Sequence, residues 1–243
     1  MGRILAFLYG VVSYLVFVVT FLYAIGFVGN LFVPKSIDSG RPGSFGQALV
    51  IDAILLGLFA IPHSVMARPG FKRWWTRVIP EVVERSTYVL LSSLLLALFF
   101  WQWQPILTVI WDVRNPIGHL VLQVLFWVGW ALLLLSTFLI NHFDLFGLRQ
   151  VYLYQVGHPS SASPFKTPGL YKLIRHPMML GFIIGFWATP TMTLGHLVFA
   201  VATTAYILIA LQFEERDLVS IHGETYEEYR RRVSMLLPLP KKR

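Results

Sequence analysis

The stretch "LYKLIRHPMMLGF", residues 170–182, sets a guanidinium, an imidazole and a proline side by side at Arg175, His176 and Pro177, just before the sequence turns apolar. Farther on, "FEERDL" places Glu214 and Glu215 where the same apolar block ends. Proline in the first turn of a helix costs nothing, because the N–H it lacks would have no intrahelical acceptor there. A helix starting at Pro177 therefore leaves donors and a positive dipole end beside Arg175, a setting for a carboxylate or phosphate. If the block doubles back, Glu214 and Glu215 return to that level. A basic approach beside an acidic one can hold a ligand of both charges, with hydroxyls for a carboxylate to accept from. An ion pair from Arg175 to a glutamate, closing the hairpin, is the alternative reading of the same residues.

A second group gathers in "INHFDLFGLRQ", where Asn141, His142 and Asp144 follow an apolar run, and His63 ends another run in "PHSVMARPG". An imidazole titrates near neutral pH and can take a proton or, once charged, hold an anion, which makes His142 a candidate base or stabiliser of an anionic nucleophile. Asp144 or Asn141 would orient it, and His63 is the second candidate. Gly181 and Gly185, four apart, admit a close approach by a helix or a ligand. The chain has no cysteine, and its seven histidines are spread over different segments, so no metal site is expected. No Gly-x-Gly-x-x-Gly, Walker loop, His-Glu-x-x-His or Gly-x-Ser-x-Gly occurs.

The elements that must position these groups are apolar. Hydrophobic residues make up 56% of the 243, and charged residues 13%, against about 25% charged in soluble domains. The composition predicts an all-α integral membrane protein, with 1–243 as a single membrane domain. Runs of spanning length at 4–33, 45–66, 86–111 and 116–140 predict four transmembrane helices within 1–140. The first run is too long for a signal-peptide core. A fifth block, 178–213, is broken near its middle by "ATPTMT". Its length of roughly 54 Å as helix, against roughly 30 Å for one crossing, predicts a helical hairpin in the membrane. Residues 141–177 are then a cytoplasmic loop and 214–243 a cytoplasmic interfacial tail.

Charge orients the bundle. With both termini cytoplasmic, 17 of the 20 lysines and arginines fall on the inner side, and only Lys35, Arg41 and Arg114 lie outside. The net charge of +8 is thus a topology signal, and no basic face with stacking aromatics suggests nucleic acid. Membrane lipid is the expected surrounding, while the oligomeric state has no signature in the sequence.

"RHPMMLG", then "FEERDL", then "YEEYRRRVSMLLP" together resemble the C-terminal signature of the isoprenylcysteine carboxyl methyltransferase and phospholipid methyltransferase superfamily, over about 170–238. Met179 stands where that family usually has tyrosine. "PHSVMARPGFKRWW", "ERSTYVL", "INHFDLFGLRQVYL" and "FWATPTMT" resemble the NnrU-type branch and extend the likeness to about 45–238. The resemblance implies S-adenosylmethionine as methyl donor, S-adenosylhomocysteine as product, and a small thiol as acceptor, methanethiol becoming dimethyl sulfide. It implies cofactor-binding roles for Arg175, His176, Pro177, Gly181, Glu214 and Glu215, and a bacterial cytoplasmic membrane with the active site facing the cytoplasm. A lipid or prenylcysteine acceptor, or a non-enzymatic membrane accessory role, are the alternatives that it leaves open.

Overall fold

The structure is a computed structural model, and it describes residues 2–159 and 165–238. The chain is a helical membrane protein: five helices among the described residues are long and apolar enough to cross a bilayer. They belong to two compact units, one built from the chain up to Pro105 with the segment 141–163, the other from 106–140 with the remainder.

In the first unit, α1 (Arg3–Gly29) ends where Asn30 takes the left-handed conformation, φ 54°. α2 (Phe45–Ala67) is capped by the Ser44 hydroxyl on the Gln47 N–H and carries Pro62 one residue before His63. The short α3 (Pro69–Trp75) follows. α4 (Glu81–Gln102) replaces the expected span 86–111. It begins early because Glu81 and Glu84 in its first turn complement the positive helix end. It stops early because Pro105 lacks a donor and disfavours helix at Gln104. Asp52, fully buried in α2, holds that stop by accepting the Gln104 N–H at 2.9 Å. After the single turn α6 (His142–Leu145) comes α7 (Leu148–Gln155). α7 packs on α1 where Gly10 leaves room for Val151, and Gly147, at φ +86°, lies against Ser86 of α4. Residues 141–159, expected as loop, are thus largely helical.

In the second unit, β1 (Val109–Asp112) leads into α5 (Pro116–Ile140). α8 (Pro177–Trp187) and α9 (Leu194–His222) form the hairpin. Its turn contains β2 (Thr191–Thr193), which pairs antiparallel with β1, Val109 opposite Thr193 and Asp112 opposite Thr191. Thr193 then caps α9 through the His196 N–H at 3.1 Å. The two arms are unequal. The 11 residues of α8 rise roughly 16 Å and the 29 of α9 roughly 44 Å, so of the two arms only α9 is by itself as long as the hydrocarbon is thick. α9 also runs nine residues past 213, which puts Glu214 and Glu215 inside a helix instead of at the head of a tail. α10 (Glu224–Arg232) buries Tyr226 and Tyr229. The rest of the expected tail's basic end, 239–243, lies outside the described residues, as does part of the loop at 160–164.

α8 lies close against α5. A Cβ at Gly181 would sit 2.6 Å from the Gly129 carbonyl oxygen and 2.8 Å from the Leu133 nitrogen. The small residues at 129, 181 and 185 therefore let two backbones touch. The close approach that Gly181 permits is by a helix.

Candidate active site

Pro177 occupies the first turn of α8, and Arg175 and His176 come just before it. Antiparallel α9 carries Glu215 to the same level. Its Oε1 accepts from Arg175 Nε at 2.6 Å and from Tyr226 Oη at 3.4 Å, and lies 3.0 Å from His176 Nε2. The three side chains are buried, Arg175 and His176 each 7% exposed and Glu215 8%. A buried charge of either sign is costly alone, and three donors on one carboxylate oxygen offset that cost. Arg175 Nη1 also donates to the carbonyls of Arg230 at 3.1 Å and Val233 at 2.6 Å. The strand-like segment after α10 is stitched on by the Arg175 N–H to Ser234 O, 2.9 Å, and the His176 N–H to Met235 O, 3.1 Å.

The ion pair that is the alternative reading of Arg175 is therefore formed, with Glu215, and most of the Arg175 guanidinium is spent inside the protein. Glu214 differs. Its side chain is 42% exposed and lies 4.0 Å from His176 Nδ1, which leaves it available to an ammonium or a hydroxyl from outside. Three tyrosines line the group. Burial, together with neighbouring glutamates, pushes the Tyr171 and Tyr226 hydroxyls well up, and burial pushes Tyr229 up to about 12. All three remain protonated donors at neutral pH. Tyr229 donates to the Tyr171 carbonyl, and Tyr171 to the Ser136 carbonyl of α5 at 3.3 Å. Tyr226 and Tyr229 lie in the "YEEY" of the tail, where nothing in the sequence marks them as partners of the hairpin, and Tyr171 carries no signal of its own.

The other candidates lie in the first unit. The Asn141 side chain caps α6 by accepting the Asp144 N–H at 3.4 Å. Asp144 Oδ1 pairs with Arg149 Nη1 at 3.4 Å. His142 is buried, and its Nε2 is 2.8 Å from the Tyr14 hydroxyl of α1. Burial pulls its pKa below the ordinary histidine value, so the ring is neutral at pH 7. The orienting hydrogen bond on Nε2 thus comes from a residue 128 positions away, for which a lone tyrosine in an apolar run gave no signal. His63 is 3.1 Å from Ser92 Oγ through Nδ1 and 3.0 Å from Tyr88 Oη through Nε2, with Phe59 stacked on it at 5.1 Å. Arg85 covers the Tyr88 ring at 5.0 Å and donates to Leu145 O at 2.7 Å. Among the described residues, no group of three or more His, Asp or Glu could hold a metal.

Apolar helices of spanning length with a buried Arg–His–Glu cluster at one hairpin mouth define a polytopic helical membrane protein with a polar cluster at a helix end. The sequence model of the NnrU protein family matches residues 53–227, and the chain belongs to that family. Methanethiol S-methyltransferase of Mycobacterium tuberculosis is 59% identical over 240 residues, 99% of this chain and 98% of its own length. Methanethiol S-methyltransferase of Crocosphaera subtropica is 57% identical over 238 residues, 98% of this chain and 93% of its own. More distant is Nurim of Mus musculus, 32% identical over 182 residues, 70% of this chain and 68% of its own. No solved structure matches the chain.

Proposed function

We propose that the protein is an S-adenosylmethionine-dependent thiol S-methyltransferase converting methanethiol to dimethyl sulfide at the cytoplasmic face of a bacterial cytoplasmic membrane, with both termini cytoplasmic. The observation that carries this reading is identity of 57–59%, across nearly the whole of both chains, to relatives named for that reaction. The donor set at the hairpin mouth suits the methyl donor. Glu214 is the exposed carboxylate available to the donor's ammonium or ribose hydroxyls, and Glu215, Arg175 and His176 hold that edge rigid. Pro177 starts α8, whose first-turn N–H groups lack intrahelical acceptors and are the donors this reading assigns to the ligand, and Gly181 fixes α8 on α5.

When bound, S-adenosylmethionine supplies an electrophilic sulfonium methyl. Positioning by these residues contributes up to roughly 7–11 kcal/mol when reacting atoms are held in line. Thiolate and sulfonium charges cancel as the methyl moves, so an apolar surrounding favours the step. Deprotonation remains: even a cysteine thiol, with pKa about 8.5, is mostly protonated at neutral pH, and a simple alkyl thiol more so. His142, buried and neutral, is the base in this reading; Asn141 and Asp144 shape its turn, and His63 is held in its own hydrogen-bonded group.

The test is a sealed-vial assay of detergent-purified protein with S-adenosylmethionine and methanethiol, the headspace read by gas chromatography against His176→Ala. Dimethyl sulfide from the wild type and little from the variant is the expected result. Binding of S-adenosylhomocysteine without any dimethyl sulfide would redirect the acceptor, and no binding would sink the proposal.

A further inference from the structure

We propose that the Tyr14 hydroxyl is a catalytic group, relaying the proton of the thiol to His142. The inference rests on the methyl-transfer reading above. Tyr14 Oη and His142 Nε2 are 2.8 Å apart, a short hydrogen bond between residues on different elements. The imidazole is clamped. Tyr14 meets it edge-on at 5.7 Å and Phe143 edge-on at 5.3 Å, Phe146 lies tilted against it at 4.8 Å, and Phe17 stacks on Phe146 at 3.9 Å.

Exposure decides which member of the pair meets a substrate. His142 is buried at 5% exposure, whereas Tyr14 is only half-buried. A small thiol approaching the pair therefore reaches the tyrosine first, among aromatic rings that suit a methyl group and a polarizable sulfur. Of the charged groups on the packed elements, Asp144 of α6 pairs with Arg149 of α7 and Arg85 of α4 donates to the Leu145 carbonyl, while Arg3 of α1 and Glu81 and Glu84 of α4 lie nearer the start of their helices. Burial keeps His142 neutral at pH 7, ready to accept a proton.

At rest, the Tyr14 O–H donates to Nε2, and the imidazole carries its proton on Nδ1. As the thiol S–H bond breaks, its proton passes to the Tyr14 oxygen while the original O–H proton passes to Nε2. The S–H electron pair stays on sulfur, and the products are a thiolate and an imidazolium. The thiolate then displaces the thioether from the donor's methyl, the breaking C–S pair leaving with the thioether, and the imidazolium later returns its proton to water. Because the Tyr14 oxygen gains one proton as it gives up the other, no tyrosinate accumulates, and the cost of the transfer lies in forming the thiolate–imidazolium pair.

The experiment compares wild type, Tyr14→Phe and His142→Gln on methanethiol and on 2,2,2-trifluoroethanethiol, a small thiol that ionises unaided at mildly alkaline pH. S-Adenosylhomocysteine binding by calorimetry serves as the check on folding. Tyr14→Phe should lose about 10²-fold in methanethiol turnover at neutral pH while methylating the fluorinated thiol at close to the wild-type rate under alkaline conditions. Equal loss on both thiols with binding intact would make Tyr14 structural and overturn the relay. Loss in His142→Gln alone would also overturn it while leaving His142 as base; full activity in both variants would remove the base assignment as well. Should Tyr14→Phe fail to bind, the wild type still decides, because methanethiol turnover should fall with acidification well before that of the fluorinated thiol, and one shared limb would refute the relay.

Discussion

Adjacent glutamates illustrate how much a single position decides. Glu215 is consumed by Arg175 and His176, and Glu214 beside it looks outward. Glu215→Gln should destabilise the protein by roughly 3 kcal/mol, because it leaves the Arg175 charge buried against a neutral partner; thermal unfolding in detergent reads this. Glu214→Gln should leave unfolding unchanged and weaken S-adenosylhomocysteine binding at least tenfold by calorimetry, a pattern that separates a ligand contact from a structural ion pair. At His142 the sign follows from burial. The neutral ring is the active form and its pKa is depressed, so turnover should hold at pH 7 and fall only as the pH drops through a value below 6.5. A limb at or above the ordinary histidine value would contradict this. The residue types at both places were legible in the sequence, since "RHP", "FEER" and "NHFD" are rare polar groups in an apolar chain. Which of two neighbouring carboxylates would be spent internally was not, because that depends on the rotation of α9, fixed by side chains far along it.

Helices here are set by contacts between backbones as much as by apolarity. Gly181 sits 2.6 Å, measured from the Cβ it lacks, from the Gly129 carbonyl. Gly181→Ala should therefore push α8 off α5, cost about 1–3 kcal/mol by overpacking and weaken S-adenosylhomocysteine binding by shifting Pro177. Gly46→Ala, with nothing within 4 Å of the added carbon, is the control, and its unfolding should be unchanged. The break in 178–213 was readable from Pro190, which cannot continue a helix. The inequality of the arms was not: α9 continues through the charged "EERD" because a helix tolerates polar residues once it leaves the hydrocarbon, and hydropathy marks the membrane boundary instead of the helix end. The pairing of β1 with β2 was likewise hidden, since it joins 109–112 to 191–193, segments without an alternating pattern of their own.

For the whole molecule, 17 of 20 lysines and arginines lie on one proposed side. Phosphatase fusions should be inactive at either terminus and active when inserted between Lys35 and Ser44; the reverse pattern would invert the topology. Composition by itself determined the helical membrane class and the approximate positions of the spans, because a bilayer demands about 20 apolar residues wherever a helix crosses. Local chemistry also determined where α8 begins, through Pro177, and which polar residues gather at helix ends. Only the tertiary structure decided their partners: Tyr14 on His142, Glu215 under Arg175, Tyr226 and Tyr229 beside the buried pair, and the carbonyls of Arg230 and Val233 on the guanidinium. The reason is physical. Span positions follow from the sum of many similar side chains, whereas each of these hydrogen bonds depends on donor and acceptor meeting to within a few tenths of an ångström, which only the packed helices can arrange.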